Sequence, residues 1–256
     1  MKDISKRYHN FHKEQYWYAG HFVEDFLGIP NHNSLKILEV GTAEGGLLKY
    51  FSEKGHYCYG IEYSESRYEF SKALNKDSKI KFIHGDITDQ STYADYLQER
   101  MNIVICRDVI EHIHPNKKII ALKNMAAILN PDGKLFISFP PKYSPYAGHQ
   151  QGAPKIFAKL PYLHLLPAKI FRSYLSMLNI PQNTINQLND IRKSRISIDS
   201  FEEMLPEAGF KIKKHEFYFI RPCFEYRFKI KKMKNPFRYS PLREIFSLGA
   251  IYALTK

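Results

Sequence analysis

An α/β fold built on a mostly parallel sheet is the fold class that the sequence predicts. Residues 36–140 alternate short apolar runs with longer segments of helical spacing. The first of these runs stops abruptly at glycine, as buried parallel strands often do. Strands that alternate with helices are joined by right-handed crossovers, so the pattern predicts a sheet flanked by helices.

The first predicted strand and its loop carry the strongest functional signal. Residues 37–40 are apolar except for one acid, and Gly41, Gly45 and Gly46 then open a tight loop before a helix. Glycine lets a ligand approach the backbone closely, and the N-terminus of a helix offers free N–H groups. Strand, glycine loop and helix together are typical of the first unit of a nucleotide-binding sheet.

Two acids help to distinguish the possible ligands. Gly41, Ala43 and Gly46 nearly match the G-x-G-x-x-G of dinucleotide enzymes, so such an enzyme stays open here, as does a turn that binds nothing. Glu39 precedes the loop, where it would repel a pyrophosphate but suits a ligand with ammonium and sulfonium cations. Glu62 ends the next apolar strand, where an acid accepts hydrogen bonds from ribose hydroxyls.

Four ordered pieces within residues 36–140 resemble the class I S-adenosylmethionine (SAM) methyltransferases: LEVGTAEGG, GIEYS, HGDITD and CRDVIEHIHP. The resemblance implies a Rossmann-like, mostly parallel sheet of seven strands with an antiparallel last strand. It also implies SAM as the cofactor and S-adenosylhomocysteine as its product, with Asp86 pairing with the adenine amine. Ala43 departs from the second glycine of many members. The residues that the resemblance places at the cofactor are Glu39, Gly41, Thr42, Gly45, Glu62, Tyr63, Asp86, Ile87 and Arg107.

The elements follow in order along one predicted domain, residues 1–256. Residues 1–30 form an N-terminal cap with a helix near 4–28, which in related methyltransferases often lies over the cofactor. The SAM-binding core, 36–140, has predicted strands near 36–40, 57–61, 80–84, 102–106 and 133–139, and predicted helices near 46–54, 64–75, 90–99 and 115–130. The alternation then fails over a helical insertion at 141–195. Residues 196–256 supply a helix and two last strands near 210–220 and 245–255, an antiparallel edge pair in the family.

Composition limits the broad class of protein. The chain has 256 residues, 44% hydrophobic and 25% charged, which suits a globular protein with a substantial core. Cys58, Cys106 and Cys223 lie far apart, so we expect buried thiols in a reducing compartment. The polar N-terminus and the absence of a long apolar stretch make a cytoplasmic protein the default expectation.

Candidate catalytic residues follow the fourth and fifth strands. Asp108, Glu111 and His112 share one face if their turn is helical, and His149 lies in a glycine-bearing loop just past the fifth strand. Asp108 and His149 are the candidate bases for an acceptor's proton. With a distant histidine, Asp108, Glu111 and His112 could instead hold a divalent metal, as in some small-RNA and quinone-pathway O-methyltransferases. A capped turn with no chemistry is the third interpretation.

We therefore expect a SAM-dependent methyltransferase that acts at oxygen on a small-molecule, lipid-linked or glycan-linked acceptor. Transfer from a sulfonium needs no enzyme nucleophile, so positioning, water exclusion and a base would carry catalysis. The net charge of +12 permits the alternative of an RNA methyltransferase, although no RNA-binding module is evident. A SAM- or nucleotide-binding protein without catalysis is a further alternative, and the sequence leaves the oligomeric state open.

The insertion has the composition of a segment that rests on an anionic membrane. No acidic residue lies between Asp132 and Asp190, whereas lysines and apolar residues alternate there. Residues 211–238 add ten Lys or Arg against two Glu. Peripheral contact with a membrane is one interpretation, and a lid whose apolar residues pack inward while its lysines stay solvated is the other.

Overall fold

A sheet of eight strands organises the described part of the chain, which comprises residues 2–30 and 34–256 of a computed structural model. The strands are β1 (Lys36–Val40), β2 (Tyr57–Glu62), β3 (Lys81–His84), β4 (Met101–Arg107), β5 (Leu129–Phe139), β6 (Lys211–Ile220), β7 (Met233–Lys234) and β8 (Gly249–Thr255). Their spatial order is β3-β2-β1-β4-β5-β8-β6-β7. The first five strands run parallel, and β8 is antiparallel to both of its neighbours. The predicted fold class is confirmed, and the two-residue β7 is an addition to the seven strands expected.

Helices cover both faces of this sheet. They are α1 (Lys2–Tyr18), α2 (Glu24–Leu27), α3 (Gly46–Glu53), α4 (Glu65–Leu74), α5 (Lys118–Ile128), α6 (Ala168–Met177), α7 (Gln182–Ser194), α8 (Ile198–Met204), α9 (Cys223–Phe228) and α10 (Leu242–Ile245). A π-helical turn, Ala19–Val23, joins α1 to α2, and Gly28 ends α2 with a left-handed backbone. No helix of the described residues is both long enough and apolar enough to cross a membrane.

Alternate residues of the strands enter two separate cores. Leu38 and Val104 belong to the cluster on one face, whereas Ile37 and Ile103 belong to the cluster on the other face, which includes residues of α1, α2 and α3. Successive side chains of a strand point to opposite faces, so a strand covered on both sides must be apolar throughout. That requirement explains the continuous apolar runs in the sequence. The three cysteines are buried and unpaired, as predicted.

One predicted helix is wrong, and one predicted strand starts later than expected. The helix expected at 90–99 is replaced by two 3₁₀ turns, Gln90–Thr92 and Ala94–Tyr96. The side chain of Asp89 accepts a hydrogen bond from the Ser91 N–H at 3.1 Å, and such local bonds compete with an α-helical backbone. The last strand begins at Gly249 rather than 245, because α10 occupies the residues before it.

The insertion, residues 141–195, contains α6, α7 and three 3₁₀ turns around a small core of its own. Phe171 and Leu175 are buried in that core, whereas Ile156 and Phe157 stay exposed. The interpretation of the insertion as a lid with inward-packed apolar residues therefore holds for only some of those residues. Tyr162 links the insertion to the C-terminal region through a hydrogen bond from its hydroxyl to the Ile245 carbonyl, 3.2 Å long.

Candidate functional site

A cavity of about 620 Å³ opens where β1, β2 and β4 end, beneath α1. This volume lies in the range of pockets for small organic ligands and cofactors. The predicted site residues that line the cavity are Glu39, Gly41, Glu62, Tyr63, Asp86, Ile87, Arg107, Asp108 and His112. Thr42, Gly45, Glu111 and His149 do not line it. The crevice beyond the carboxyl ends of the strands is where an open parallel sheet binds its ligand.

The glycine loop needs its glycines for steric reasons. Gly41 has φ +74°, and a Cβ there would lie 2.3 Å from Cγ2 of Val109. Gly45 also has a left-handed backbone, and a Cβ there would meet Asn75 and Phe82 at 2.8 Å. Ala43 itself adopts φ +48°, the left-handed region that a glycine would tolerate more readily. The loop geometry is therefore retained at Ala43 at a small backbone cost.

Helix α1 covers the loop through Gln15, which sequence reasoning missed. Its Oε1 accepts the Gly46 N–H at 2.9 Å, and its Nε2 lies 3.4 Å from the Thr42 carbonyl. Phe11, Glu14 and Gln15 line the cavity from this side, whereas Tyr16 and Trp17 do not. Nothing in the local sequence of α1 distinguishes these positions, because the contacts join residues about thirty positions apart.

Glu62 braces the loop and still faces the cavity. One carboxylate oxygen accepts the Ala43 N–H at 2.9 Å, and the other accepts the Ser64 N–H at 3.0 Å. The side chain is buried yet lines the cavity. Each carboxylate oxygen offers more than one acceptor position, so both can accept further hydrogen bonds from a ligand.

Glu39 is a buried acid with one carboxylate oxygen that receives no hydrogen bond within residues 2–30 and 34–256. It is 2% exposed, and its Oε2 receives no hydrogen bond from the described residues. Burial raises the pKa of this carboxyl well above its usual range, although the nearby Arg107 opposes the shift. A neutral carboxyl at the wall of a cavity is suited to ionise when a cationic group arrives.

The region after β3 forms the other end of the cavity. The Asp86 carboxylate accepts the Thr88 N–H at 2.8 Å, and the Ile87 carbonyl accepts a hydrogen bond from Asn124 at 2.7 Å. Asp86 also lines the cavity, so its turn-forming role and a role in binding are compatible. Ile87 is buried and supplies an apolar wall.

A network of charges closes the cavity at the ends of β4 and α9. Glu14 accepts hydrogen bonds from Arg107 at 2.9 Å and from Arg227 at 2.9 Å. Arg107 also lies over the Tyr18 ring, 4.1 Å from its centroid. This network ties α1 and α9 to the sheet. Glu14 and Arg227 escaped sequence reasoning because they lie 213 positions apart.

Asp108 does not share a face with Glu111 and His112. It has φ +55° in a non-helical turn, and Nη2 of Arg221 lies 2.6 Å from both of its carboxylate oxygens. Burial raises the pKa of Asp108, but Arg221 and Arg107 outweigh it and the net pKa is lowered. Asp108 is therefore ionised and paired, which disfavours it as a proton acceptor. The expectation of a shared helical face is wrong, because residues 108–114 form a turn.

His149 takes the place beside Glu111 and His112 that Asp108 was expected to fill. One ligand-type atom of each of the three lies within 4.8 Å of the others, and the two imidazole centroids are 4.9 Å apart. Burial and then Asp108 raise the pKa of Glu111 to about 8, and neither carboxylate oxygen has a partner among the described residues. Burial and then His149 lower the pKa of His112 to about 4, although 42% of its side chain is exposed. Burial also lowers the pKa of His149, so both imidazoles are neutral at pH 7.

Comparison with known proteins gives one family and several partial relatives. A model of the family described as "Methyltransferase domain" matches residues 11–215. A ubiquinone biosynthesis O-methyltransferase of Coxiella burnetii is 31% identical over 104 residues, which is 40% of this chain and 42% of that protein. A tRNA N(3)-methylcytidine methyltransferase of Schizosaccharomyces pombe is 26% identical over 130 residues, 49% of this chain and 52% of that protein. The chain thus spans about half or less of the length of these relatives.

Solved structures share the fold at low identity. A TehB-like SAM-dependent methyltransferase from Corynebacterium glutamicum has a TM-score of 0.57 at 14% identity, covering 100% of this chain and 97% of that chain. The magnesium protoporphyrin IX methyltransferase of Synechocystis, with bound S-adenosylhomocysteine, has a TM-score of 0.53 at 14% identity, covering 96% and 84%. At these identities the likeness establishes the fold alone. The family expected from the four sequence pieces is confirmed.

Proposed function

The chain belongs to the methyltransferase domain family, and we propose that it is a class I enzyme that transfers the methyl group of SAM to an acceptor hydroxyl. The observation that carries the proposal is the pair of acids at the cavity wall. Oε2 of Glu39 receives no hydrogen bond from the described part of the chain and suits a cationic group, and Glu62 has acceptor capacity for ribose hydroxyls. A pyrophosphate has no cation to offer Glu39, so the same wall disfavours a dinucleotide.

In this proposal the methionine end and the adenine end of SAM contact different walls of the cavity. Its ammonium lies near Glu39, and its adenine lies near Asp86 and Ile87, with Tyr63 at the rim. Arg107 borders the methionine end, where its positive charge also favours the ionised form of Glu39. Gly41 lines the cavity, and its lack of a side chain leaves the backbone open to the ligand.

Thr42 and Gly45 serve the donor indirectly in this proposal, by shaping the loop. The Thr42 carbonyl accepts from Gln15, and its methyl group faces Gly60 of β2. Gly45 gives the loop its left-handed turn before α3. Their replacement would therefore act through the loop's conformation rather than through a lost contact with the donor.

His149 is the proposed general base, because its imidazole is neutral and lies beside that of His112. The acceptor oxygen attacks the methyl carbon in line, the sulfur–carbon bond breaks, and the hydroxyl proton passes to His149. S-adenosylhomocysteine then leaves as a neutral thioether. Asp108 assists electrostatically, because its charge raises the pKa of His149 against the effect of burial.

A divalent metal is a weaker alternative at the same place, held by Glu111, His112 and His149 rather than by Asp108. The partnerless oxygens of Glu111 and two neutral imidazoles fit such an ion. A metal there would polarise the acceptor hydroxyl and lower its pKa. In that case Glu111 would have to ionise, and His149 would serve as a ligand instead of a base.

The acceptor is proposed to be a small or lipid-linked molecule. The protein itself is proposed to make peripheral contact with an anionic membrane on the cytoplasmic side. The relatives named as ubiquinone biosynthesis O-methyltransferases support a small-molecule acceptor. The exposed Ile156 and Phe157 of the insertion support contact with lipid. RNA is the second candidate, favoured by the tRNA methyltransferase relative and by the net charge of +12.

Calorimetric titration with SAM and with NAD tests the donor assignment. We expect SAM to bind with low-micromolar to submillimolar affinity and NAD to show no binding. Tight binding of NAD with none of SAM would refute the proposal. Transfer of labelled methyl from SAM to a panel of phenolic, lipid-linked and RNA acceptors then separates an enzyme from a binding protein, because only the enzyme produces S-adenosylhomocysteine.

A further inference from the structure

The chain from the end of α9 onward is basic and apolar, and its own sequence holds no acid before Glu244. Between Glu225 and Glu244 the chain holds seven Lys or Arg and no acidic residue. We call residues 227–242 the C-terminal basic segment. Every residue in it except Asn235 is exposed.

Large apolar side chains are exposed among these cations. Phe228 is 59% exposed, and Ile230 and Met233 are 48% and 46% exposed. Farther along, Tyr239 is 82% exposed. Apolar side chains grouped on a monomer's surface usually mark a contact site.

Most of the segment's positive charge is not neutralised within the protein. Lys234 pairs with Glu216 at 2.8 Å, and Arg227 pairs with Glu14. Lys229 and Lys232 lie instead over the rings of Tyr226 and Phe22, at 5.3 and 5.1 Å. Across residues 2–30 and 34–256, no ion pair joins Lys229, Lys231 or Lys232 to an acid.

We propose that the C-terminal basic segment docks on an anionic lipid bilayer and presents the cavity mouth to an amphipathic acceptor there. The apolar side chains suit the acyl boundary, and the lysines suit the anionic headgroups. Ile230 and Met233 have no ring to stack on a base, so these two side chains fit lipid better than RNA. This inference rests on the proposed function, because the amphipathic acceptor is the substrate of the proposed methyl transfer.

The segment's position connects the bilayer to the site. It begins at Arg227, which lines the cavity and pairs with Glu14 of α1. Phe237 contacts Phe246, with ring centroids 5.3 Å apart, and Ile245 beside it accepts the Tyr162 hydrogen bond from the insertion. The segment and the insertion are therefore linked, and the segment reaches the cavity through Arg227.

Cosedimentation of the full chain with phosphatidylglycerol-containing and with pure phosphatidylcholine vesicles tests the docking. We expect binding to the anionic vesicles that weakens at high salt. The triple variant Lys229→Gln, Lys231→Gln, Lys232→Gln should lower the partition coefficient by about 100-fold, roughly fivefold per lysine. A second variant, Ile230→Ser with Met233→Ser, should lower it by about tenfold or more.

A matched control lies at the opposite edge of the sheet, where β3 ends the strand order. The control variant Lys76→Gln, Lys79→Gln, Lys81→Gln makes the same charge change at exposed residues and should bind vesicles like the wild type. Hydrogen exchange should slow across residues 227–242 when anionic vesicles are present. That measurement reports docking without any substitution.

Three results would overturn the proposal. One is equal vesicle binding by the wild type and both segment variants. Another is loss of binding only when Ile156→Ser and Phe157→Ser are introduced in the insertion. The third is binding to an RNA oligonucleotide, sensitive to the lysine variant, with no binding to vesicles. Failure of SAM to bind in calorimetry would refute the proposed function instead and would leave the vesicle result intact.

Discussion

The Glu39→Gln substitution separates binding of a cationic donor from stability of the fold. Glu39 is 2% exposed, and its burial raises its pKa well above the usual range, which favours the neutral carboxyl in the free protein. Glutamine keeps the shape and the neutral state. We therefore expect the free energy of unfolding to change by less than about 1 kcal/mol.

SAM binding, unlike stability, should weaken strongly in this variant. The bound ammonium would form a charge-assisted hydrogen bond with ionised Glu39, which contributes about 1.5–3 kcal/mol. Its loss corresponds to a rise in Kd of roughly 10- to 150-fold. Glu244→Gln is the matched control, because Glu244 is also a buried acid with a pKa raised by burial, to about 7, but does not line the cavity.

The pH dependence of binding has a definite sign. Donor binding requires the ionised form of Glu39, whereas the free protein holds it protonated below its raised pKa. Affinity should therefore increase with pH, by up to about tenfold per pH unit below that pKa, with about one proton released per SAM bound. Calorimetry in buffers of different ionisation enthalpy measures that proton. Glu39→Gln should abolish the release, and unchanged affinity with unchanged proton release in this variant would refute the reasoning.

Three further substitutions test the remaining parts of the site. Glu62→Ala should weaken SAM binding by about 1.5–3 kcal/mol, and unchanged affinity in a folded variant would show that the ribose is held elsewhere. His149→Ala should lower turnover by about 100-fold or more and leave the Kd of SAM unchanged, whereas an equal loss of SAM binding would place His149 in the donor pocket. Activity that survives a chelator would exclude the metal alternative. Gly41→Ala should lower the free energy of unfolding by about 1–3 kcal/mol more than Gly28→Ala, because both have positive φ but only a Cβ at Gly41 meets Val109. Equal thermal stability of the two variants would contradict that steric account.

The parallel core could be predicted because its signals are local. Residues 36–40 contain a buried strand followed by glycines whose left-handed backbones the loop requires. Glu39 lies one residue before the end of β1 and Glu62 ends the neighbouring β2, and because Glu39 pairs with Gly60, the topology alone brings both acids to the same edge of the sheet. The helix expected at 90–99 failed because local side-chain hydrogen bonds, such as that of Asp89, favour 3₁₀ turns.

The acceptor side could not be predicted because its contacts join distant parts of the chain. Asp108 is bound by Arg221, 113 positions away, so its spacing from Glu111 and His112 gave the wrong neighbour. His149 joins Glu111 and His112 only through the path of the loop after β5. Glu14 and Gln15 cover the cavity from a helix whose local sequence shows no binding signature.

A crystal structure with S-adenosylhomocysteine bound tests the central claim most directly. We expect the ligand in the 620 Å³ cavity, with its ammonium within hydrogen-bond distance of Glu39 and its ribose hydroxyls on Glu62. Its sulfur should face the region where His112 and His149 meet, since that is where the acceptor would enter. A ligand bound outside this cavity, or bound within it with the ammonium away from Glu39 and the ribose away from Glu62, would contradict the account.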